Sequence, residues 1–256
     1  MKIATWNVNS IKARLPNVLD WLKEASPDVV LLQEIKCVDE AFPELEIGDL
    51  GYNVAVHGQK TYNGVAILAK RPIEDVQRGL PGDDTDVEAR YIEAVVGDIR
   101  VASVYVPNGQ SVDSDRFAYK LGFFGRLRDR IGGLLDQEEA MVIGGDYNVA
   151  PAPEDVYDPD RLDGTVCYHP DERAAWRQIV HLGVTDAFRA LHREPGRYSW
   201  WDYRGRGFET GQGYRIDHLL LSPQAVDRLD DADIDIAPRS QPKASDHTPV
   251  WCAIAE

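Results

Sequence analysis

The sequence predicts an α/β (α+β) fold in which two packed, mainly antiparallel β-sheets are flanked by helices. Apolar or alternating runs typical of strands recur along the whole chain, and they are too many for one flat sheet. Amphipathic helical patterns lie between them. Some neighbouring runs are joined by turns as short as Gly97-Asp98, and short turns connect antiparallel strands because a parallel pair needs a long crossover.

The individual elements follow from these patterns. The predicted strands are Lys2–Val8, Asp28–Gln33, Tyr52–Val56, Gly64–Ala69, Tyr91–Val96, Arg100–Tyr105, Ala140–Gly145, Ile216–Ser222 and Pro249–Ala255. The predicted helices are Leu15–Ala25, Arg116–Leu135, Glu172–Leu182 and a short one at Val184–Leu191. Pro16 suits the first turn of the first helix, where a missing N–H breaks no hydrogen bond. No tandem repeat is visible, but strands ending in an acid or amide occur in both halves, consistent with two similarly built halves facing one cleft.

Length and composition indicate one soluble domain. The motifs described below extend from residue 7 to residue 247, so we expect a single domain covering residues 1–256. The hydrophobic fraction of 43% is enough for a buried core, and no apolar run has the length of a membrane span. The formal charge of −15, from 28 basic and 43 acidic residues, by itself argues against a polyanionic partner. Acidic clusters at 83–86, 137–139 and 227–235 are typical of solvated loops.

The cysteines and the start of the chain bear on the compartment. Cys37, Cys167 and Cys252 are odd in number and form no C-x-x-C pair, which fits reduced thiols better than a disulfide or zinc framework. Met1 leads directly into a predicted strand without the pattern of an export signal. We therefore expect a cytoplasmic protein, and we expect it to be a monomer.

Oxygen-bearing side chains recur at the predicted C-terminal ends of strands. They are Asn7, Glu34, Asp146 with Asn148, Asp217, and Asp246 with His247. Such residues would build an oxygen-lined site at one edge of a sheet. Glu34 is the best candidate ligand for a hard ion such as Mg²⁺, although a surface acid capping a strand end would look the same. Asp146 and Asn148 would project from one face of an extended chain, unless they form an Asx-turn.

His247 follows Asp246 and precedes Thr-Pro. A histidine of this kind is most useful when a carboxylate fixes its tautomer and favours its charged form, but a lone His at such a position is often only a structural hydrogen-bonding group. The other histidines, at positions 57, 169, 181, 192 and 218, show no ligand spacing.

Eight short strings occur in a characteristic order: W-N-V-N, L-L-Q-E-I-K, N-G-V-A-I-L, V-Y-V-P-N-G, G-G-D-Y-N-V-A-P, Y-S-W-W-D-Y, R-I-D-H-L-L-L and S-D-H-T-P-V. Together they resemble the exonuclease III family of DNA-repair nucleases over essentially the whole chain. The resemblance implies a four-layer α/β/β/α sandwich, a divalent metal (Mg²⁺ or Mn²⁺), and hydrolysis of phosphodiesters in double-stranded DNA. The implied activities are abasic-site endonuclease, 3′-to-5′ exonuclease and 3′-phosphatase.

The resemblance also implies roles for individual residues. The implied metal site comprises Asn7, Glu34, Asp146, Asn148, Asp246 and His247, with Asn9 as a further candidate. The implied catalytic residues are Tyr105, Asp146, Asn148, Asp217 and His247, with Asp217 as the partner of His247. Whether Asp146 or His247 takes the proton of the attacking water stays open. Tyr105 could instead be an interior aromatic residue with a satisfied hydroxyl.

DNA recognition requires a pocket and a grip on the backbone. An abasic nucleotide offers no base, so a small apolar pocket must accept the extruded sugar. By the resemblance this pocket is Trp200, Tyr214 and Ile216, where the family more often has Phe first and Trp or Leu second; otherwise all three would be core residues. Candidate DNA contacts are Lys12, Arg14, Lys60, Tyr62, Arg90, Asn108, Gln110, Arg204, Arg206 and Lys243, unless these are dispersed surface residues. Their convergence would give a locally positive groove despite the acidic total.

Two other functions are compatible with the same fold. A regulator that binds nucleic acid or protein without catalysis should have lost the metal and water-activating residues, whereas this chain keeps Glu34, Asp146 and His247. A phosphodiesterase for another phosphate ester is the second alternative. The strings W-W-D-Y-R and Y-R-I-D favour the DNA-repair branch.

Overall fold

Two six-stranded sheets pack face to face in the computed structural model, which describes residues 1–255. The strands are β1 (Lys2–Asn7), β2 (Val29–Gln33), β3 (Asn53–His57), β4 (Val65–Ala69), β5 (Glu74–Arg78), β6 (Tyr91–Val96), β7 (Ile99–Tyr105), β8 (Met141–Asp146), β9 (Thr185–Asp186), β10 (Trp200–Trp201), β11 (Gly213–Tyr214), β12 (Asp217–Leu221), β13 (Leu229–Ile234) and β14 (Val250–Ile254). The helices are α1 (Ile11–Ala25), α2 (Glu44–Gly48), α3 (Asp115–Leu135), α4 (Pro159–Leu162), α5 (Pro170–Val180), α6 (Ala187–Leu191) and α7 (Pro223–Val226).

The strand order explains how the two sheets meet. One sheet runs β13-β14-β1-β2-β4-β3, the other runs β5-β6-β7-β8-β12-β9, and β10 pairs with β11 in a separate small ribbon. Only the β1–β2 and β7–β8 pairs are parallel among the described strands, so the predicted antiparallel character is confirmed. The apolar core between the sheets includes Leu31 and Ile67 from the first and Val101 and Leu219 from the second.

Helices cover the outer faces and complete the predicted four layers. The outer face of the first sheet packs on α1, which begins where Ser10 accepts a hydrogen bond from the Ala13 N–H and which buries Trp21 and Leu22. The outer face of the second sheet packs on α3 and α5, with Phe124 and Trp176 in that core. Each helix therefore buries one apolar stripe and exposes its charged side, as the periodicity predicted.

Several element predictions need correction. Helix α1 begins at Ile11 rather than Leu15, so Pro16 lies inside it rather than in its first turn, and no bond from residue 16 to the Lys12 carbonyl can form. Helix α6 begins later than predicted because Thr185 and Asp186 form the short strand β9. Strand β5 was missed because it is an exposed edge strand rich in charge.

The prediction that the acidic segment 227–235 is a solvated loop is also wrong, because residues 229–234 form the edge strand β13. Asp230 and Asp231 point to solvent, whereas Ala232 and Ile234 are buried, and the backbone pairs with β14. Of the other two acidic segments, 137–139 is exposed, as is most of 83–86. No helix within residues 1–255 combines the length and apolar character that membrane crossing requires.

Candidate active site

The predicted oxygen-bearing residues meet at one edge of the two sheets. Asn7 ends β1, Glu34 directly follows β2, and Tyr105 and Asp146 end β7 and β8. Because β1–β2 and β7–β8 are the parallel pairs, these four residues reach the same edge. Tyr105 and Asp146 are direct register partners.

Asp217 and His247 reach that edge in a different way from the one predicted. Asp217 begins β12, and Asp246 and His247 precede β14, so neither segment ends a strand. Strand β12 runs antiparallel to β8, which places Asp217 directly opposite Asp146. The beginning of an antiparallel strand lies at the same edge as the end of its neighbour, so the convergence is preserved.

Glu34, Asp146 and His247 form a compact cluster. One potential ligand atom from each lies within 4.8 Å of the other two. The Asn7 amide lies between the carboxylates and donates to Glu34 Oε1 and to Asp146 Oδ2, both at 2.9 Å. The two carboxylates supply hard oxygen ligands of the kind that suit Mg²⁺ or Mn²⁺, so the residues present fit a divalent ion.

Two further predicted metal ligands, Asp246 and Asn148, line the same pocket but lie outside this cluster of three. Asp246 accepts from Asn9 Nδ2 at 2.9 Å and from Trp200 Nε1 at 3.1 Å, so it connects the cluster to the Trp200 ribbon. Asn148 does not continue an extended chain. Its backbone N–H donates to Asp146 Oδ1 at 2.9 Å and its φ is 49°, which is the Asx-turn alternative.

A chain of buried hydrogen bonds orients His247. Asp217 Oδ2 accepts from His247 Nδ1 at 2.8 Å and from the Ser199 hydroxyl at 2.6 Å. The Ser199 oxygen in turn accepts from the backbone N–H groups of residues 216 and 217, both at 3.1 Å. With Nδ1 held by Asp217, His247 turns Nε2 toward Asp146 Oδ2 at 3.7 Å.

The pKa values of His247 and Asp146 follow from burial and neighbouring charge. Burial disfavours a charged imidazole, but Asp217 and Asp146 outweigh it and raise the pKa of His247 to about 10. For Asp146, burial together with the negative charge of Asp217 and Glu34 raises the pKa to about 7, against the opposing effects of His247 and Asn7. The arrangement keeps His247 cationic and makes Asp146 a stronger base than an exposed aspartate.

Glu34 and Tyr105 have contrasting environments. Burial opposes ionisation of Glu34, but its ion pair with Lys36 at 2.9 Å and the bond from Asn7 outweigh that effect and lower its pKa. Burial and the charges of Glu34 and Asp146 hold the pKa of Tyr105 well above its usual value, so its hydroxyl stays a hydrogen-bond donor. The Arg90 guanidinium lies 4.6 Å from the centre of the Tyr105 ring.

A cavity of about 390 Å³ joins this cluster to the predicted sugar pocket. Its lining includes Glu34, Asp146 and His247 and also Trp200, Tyr214 and Ile216. The ribbon β10–β11 brings Trp200 and Tyr214 together, with ring centres 5.3 Å apart in an edge-on arrangement. Trp200 also forms a backbone bridge with His247. The three residues predicted for the pocket therefore lie beside the cluster rather than in the interior core alone.

The predicted DNA contacts divide into three groups. Asn108 and Gln110 line the cavity and also an adjoining groove of about 330 Å³ that includes Tyr62 and Arg90. Arg90 is only 5% exposed and pairs with Glu88, so it is less available to a phosphate than predicted. The third group lines neither the cavity nor the groove. Its side chains are exposed, except that Arg14 is partly exposed: Lys12, Arg14, Lys60, Arg204, Arg206 and Lys243.

Arg14 and Arg204 already have partners. Arg14 donates to the Asn9 carbonyl at 2.8 Å and to the Tyr203 hydroxyl at 3.0 Å, and Arg204 pairs with Asp202 at 2.9 Å.

Sequence reasoning missed several supporting residues. Ser199 was visible only as part of Y-S-W-W, and no local pattern showed that it bonds to Asp217. Lys36 was visible in L-L-Q-E-I-K without a role. Lys120 interrupts the apolar face of α3 between Phe117 and Phe123, and that interruption is the signal that could have identified it.

Comparison with known proteins gives a consistent result. The sequence profile of the Endonuclease/Exonuclease/phosphatase family matches residues 4–247. Exodeoxyribonuclease III of Haemophilus influenzae is 35% identical over 263 residues, covering 98% of each chain. The 3′ phosphatase NExo from Neisseria, solved bound to a product DNA hairpin, is 39% identical with a TM-score of 0.98 over 100% of both chains. An AP endonuclease from Archaeoglobus fulgidus is 41% identical with a TM-score of 0.95 over 99% of both chains.

Proposed function

Because the chain belongs to the Endonuclease/Exonuclease/phosphatase family and to its exonuclease III-like DNA-repair nucleases, we propose that it cleaves double-stranded DNA at abasic sites and trims 3′ ends. The proposed reactions are abasic-site incision, 3′-to-5′ exonuclease and 3′-phosphatase. All three are hydrolyses of a phosphate ester, so one site serves them. We propose Mg²⁺ as the metal, with Mn²⁺ as a substitute.

One observation carries the proposal: the cluster of Glu34, Asp146 and His247 opens into the same cavity as Trp200 and Tyr214. A reacting phosphate at the cluster would place the neighbouring sugar against the aromatic residues. A binding protein would have no need for a cationic histidine fixed by Asp217 beside a paired set of carboxylates. The geometry therefore favours the enzyme over the non-catalytic regulator.

Glu34 and Asp146 are the residues that would hold the metal, with Asn7 fixing both carboxylates. When bound, a divalent ion supplies Lewis-acid stabilisation of the negative charge on the scissile phosphate. Lys36 keeps Glu34 ionised and therefore ready to act as a ligand.

The chain's own residues divide the remaining work. Asp217 fixes the proton of His247 on Nδ1, so Nε2 faces Asp146 and the cavity. Because the cationic His247 has no free ring nitrogen to accept a proton, the proton of the attacking water passes to Asp146, whose basicity is raised by burial. The Tyr105 hydroxyl remains a donor and can hydrogen-bond a phosphoryl oxygen. Preorganised donors of this kind stabilise charge that develops in the transition state.

Recognition of the damaged site is assigned to the aromatic part of the cavity. Trp200 and Tyr214 are partly exposed while Ile216 is buried, so they offer an apolar surface that remains accessible. An abasic nucleotide is the easiest one to extrude because it has no base to unstack. The groove lined by Tyr62 and Gln110 continues from the cavity and is the proposed path for the DNA backbone.

The partner and compartment follow from the same features. We propose double-stranded DNA with abasic sites or blocked 3′ ends as the substrate. A single chain supplies every member of the cluster, which supports a monomeric enzyme. Three buried, unpaired cysteines support the reducing environment of the cytoplasm.

The test is incubation of the protein with an end-labelled duplex that carries one abasic site. Incision at that site, loss of incision with a chelator, and recovery with Mg²⁺ or Mn²⁺ are the expected results. An undamaged duplex of the same sequence is the matched control, and a duplex with a 3′-phosphate measures the 3′-phosphatase activity. Binding of the duplex without a shortened product at any metal concentration would favour the regulator.

A further inference from the structure

Lys120 is a fully buried lysine beside the active site. It lies in α3 among the aromatic residues of the outer core and is 0% exposed. Burial of an ammonium group is unfavourable unless its hydrogen bonds and charge are satisfied. The hydrogen-bond partners of Lys120 therefore indicate its role.

The ammonium group contacts three different segments. It donates to the Asn148 carbonyl at 2.7 Å, to the Asn108 carbonyl at 3.0 Å, and to the carboxylate of Glu172, which is also fully buried. An ammonium group has three N–H donors, so all three have a partner. One of the segments is the turn that follows Asp146, and another is the loop that follows Tyr105.

Glu172 extends these contacts to the wall of the cavity. Its Oε1 accepts from the Cys167 N–H at 3.2 Å, and its Oε2 accepts from the His169 N–H at 2.9 Å. The Cys167 carbonyl accepts from the Ala150 N–H at 2.7 Å, which closes a ring of bonds between this wall and the turn at Asn148.

Two members of this ring have left-handed backbones. Asn148 and Cys167 have φ values of 49° and 70°, a region that asparagine tolerates in turns but that costs energy for a cysteine. Such conformations persist where the surroundings hold them. Both residues line the cavity, so their positions determine its shape.

We propose that Lys120 and Glu172 are positioning residues whose ion pair aligns the turn beside Asp146 with the Cys167 wall of the substrate cavity. This inference rests on the proposed function of that cavity. A buried ion pair is often no more stabilising than apolar residues of similar size, so stability alone does not account for it. The pair acts through the carbonyl of Asn148 and the N–H of Cys167 rather than by touching the substrate.

The test uses the double substitution Lys120→Met with Glu172→Gln, which removes both charges and so avoids an unpaired buried ion. The cleavage rate under single-turnover conditions with saturating Mg²⁺ is expected to fall about tenfold or more, as for other residues that orient a reactive group. The Kd for the abasic duplex, measured with chelator, and the circular dichroism spectrum are expected to stay close to wild type. A folded double variant with the wild-type cleavage rate would overturn the inference.

A matched control lies on the same helix. Arg130 pairs with the buried Glu93 of β6, at 2.9 Å from Arg130 Nε, and this pair bonds to strand residues rather than to loops of the cavity. The double substitution Arg130→Met with Glu93→Gln should therefore leave the cleavage rate unchanged even if it lowers Tm. An equal loss of rate in both double variants would show that the effect is general destabilisation and would overturn the inference.

Two further measurements separate the possible failures. If the Lys120 double variant does not fold, Lys120→Gln with Glu172→Gln, which also leaves no unpaired charge but keeps a polar group at both positions, is assayed in the same way, and a wild-type rate in that folded variant overturns the inference. Wild-type protein that fails to cleave any of the duplexes with metal would instead refute the proposed function. Cleavage by wild type with no change in the variants refutes the positioning role alone.

Discussion

Replacing Asp217 by asparagine would remove the charge that holds His247 while preserving the size of the side chain. Asp217 is fully buried and accepts from His247 Nδ1 at 2.8 Å and from the Ser199 hydroxyl at 2.6 Å. An asparagine amide in its place can donate to Nδ1, which would leave a neutral His247 with its single proton on Nε2, the atom that faces Asp146. His247 would lose both its charge and its Nδ1 proton.

The magnitude follows from the lost hydrogen bond. A hydrogen bond to a charged group contributes about 1.5–3 kcal/mol, and about 1.4 kcal/mol corresponds to a tenfold change in rate. The Asp217→Asn substitution is therefore expected to lower the single-turnover cleavage rate by about 10- to 150-fold. The loss of positive charge on His247 would add to this reduction in rate. Metal affinity should change little because Asp217 contributes no ligand atom to the cluster.

The assay is single-turnover cleavage of an end-labelled abasic duplex, with circular dichroism as the control for folding and calorimetric titration of Mn²⁺ as the control for metal binding. Ser199→Ala is the matched variant, since it removes one bond to Asp217 but keeps the carboxylate, and about a fivefold loss is expected. A folded Asp217→Asn protein that cleaves within about threefold of wild type would refute the assigned role of the pair, because a lost charged hydrogen bond cannot have so small an effect.

Four further outcomes are expected. Glu34→Gln should lower metal-dependent cleavage about a thousandfold, since metal stabilisation of charge is worth several kcal/mol, and near-normal activity would show that Glu34 is not part of the metal site. Trp200→Ala should reduce abasic-site incision more than 3′-phosphate removal, and equal losses would argue against a pocket role. Incision should fall steeply between about 50 and 200 mM salt, whereas a flat profile would contradict contacts with several phosphates. Asp155→Asn should destabilise the fold by about 3 kcal/mol at pH 7 in urea unfolding, because the carboxylate is buried against Arg215. Burial opposes its charge, but Arg215 and Arg189 outweigh it and lower the pKa of Asp155 below its ordinary value of 3.8. This stabilisation is present above the unfolded pKa and is lost as pH falls through the lower folded pKa. The difference in the free energy of unfolding between variant and wild type should therefore narrow below about pH 4, and a difference that widens in acid would refute the linkage.

The central strands and the candidate ligand residues could be identified from the sequence because they depend on local patterns. Strands β1, β2, β4 and β8 contain buried apolar runs, and Asn7 and Asp146 at the ends of β1 and β8, with Glu34 directly after β2, stand out as polar residues beside a buried segment. Edge strands lack that contrast. Strands β5 and β13 carry charges on their exposed faces, and only pairing with β6 and β14 identifies them.

The topology of the sheets decides whether each polar residue of the site lies before or after its strand. The sequence predicted Asp217 and His247 at the C-terminal ends of strands, whereas Asp217 begins β12 and His247 precedes β14, because β12 pairs antiparallel with β8 and β14 pairs antiparallel with β1. The same periodicity fits either direction. The turn at Asn148 similarly depends on a bond to Asp146 that competes with an extended backbone.

By itself the sequence determined which side chains could bind a divalent ion and which runs would be buried, because residue type and hydrophobic period are local properties. The tertiary structure alone decided which atoms meet: that the Asn7 amide bridges Glu34 and Asp146, that Ser199 supports Asp217, and that the Lys120 ammonium joins two loops to helix α5. These contacts connect residues far apart in the chain. They are fixed by how two sheets and their helices pack, and no short-range pattern of residues encodes that packing.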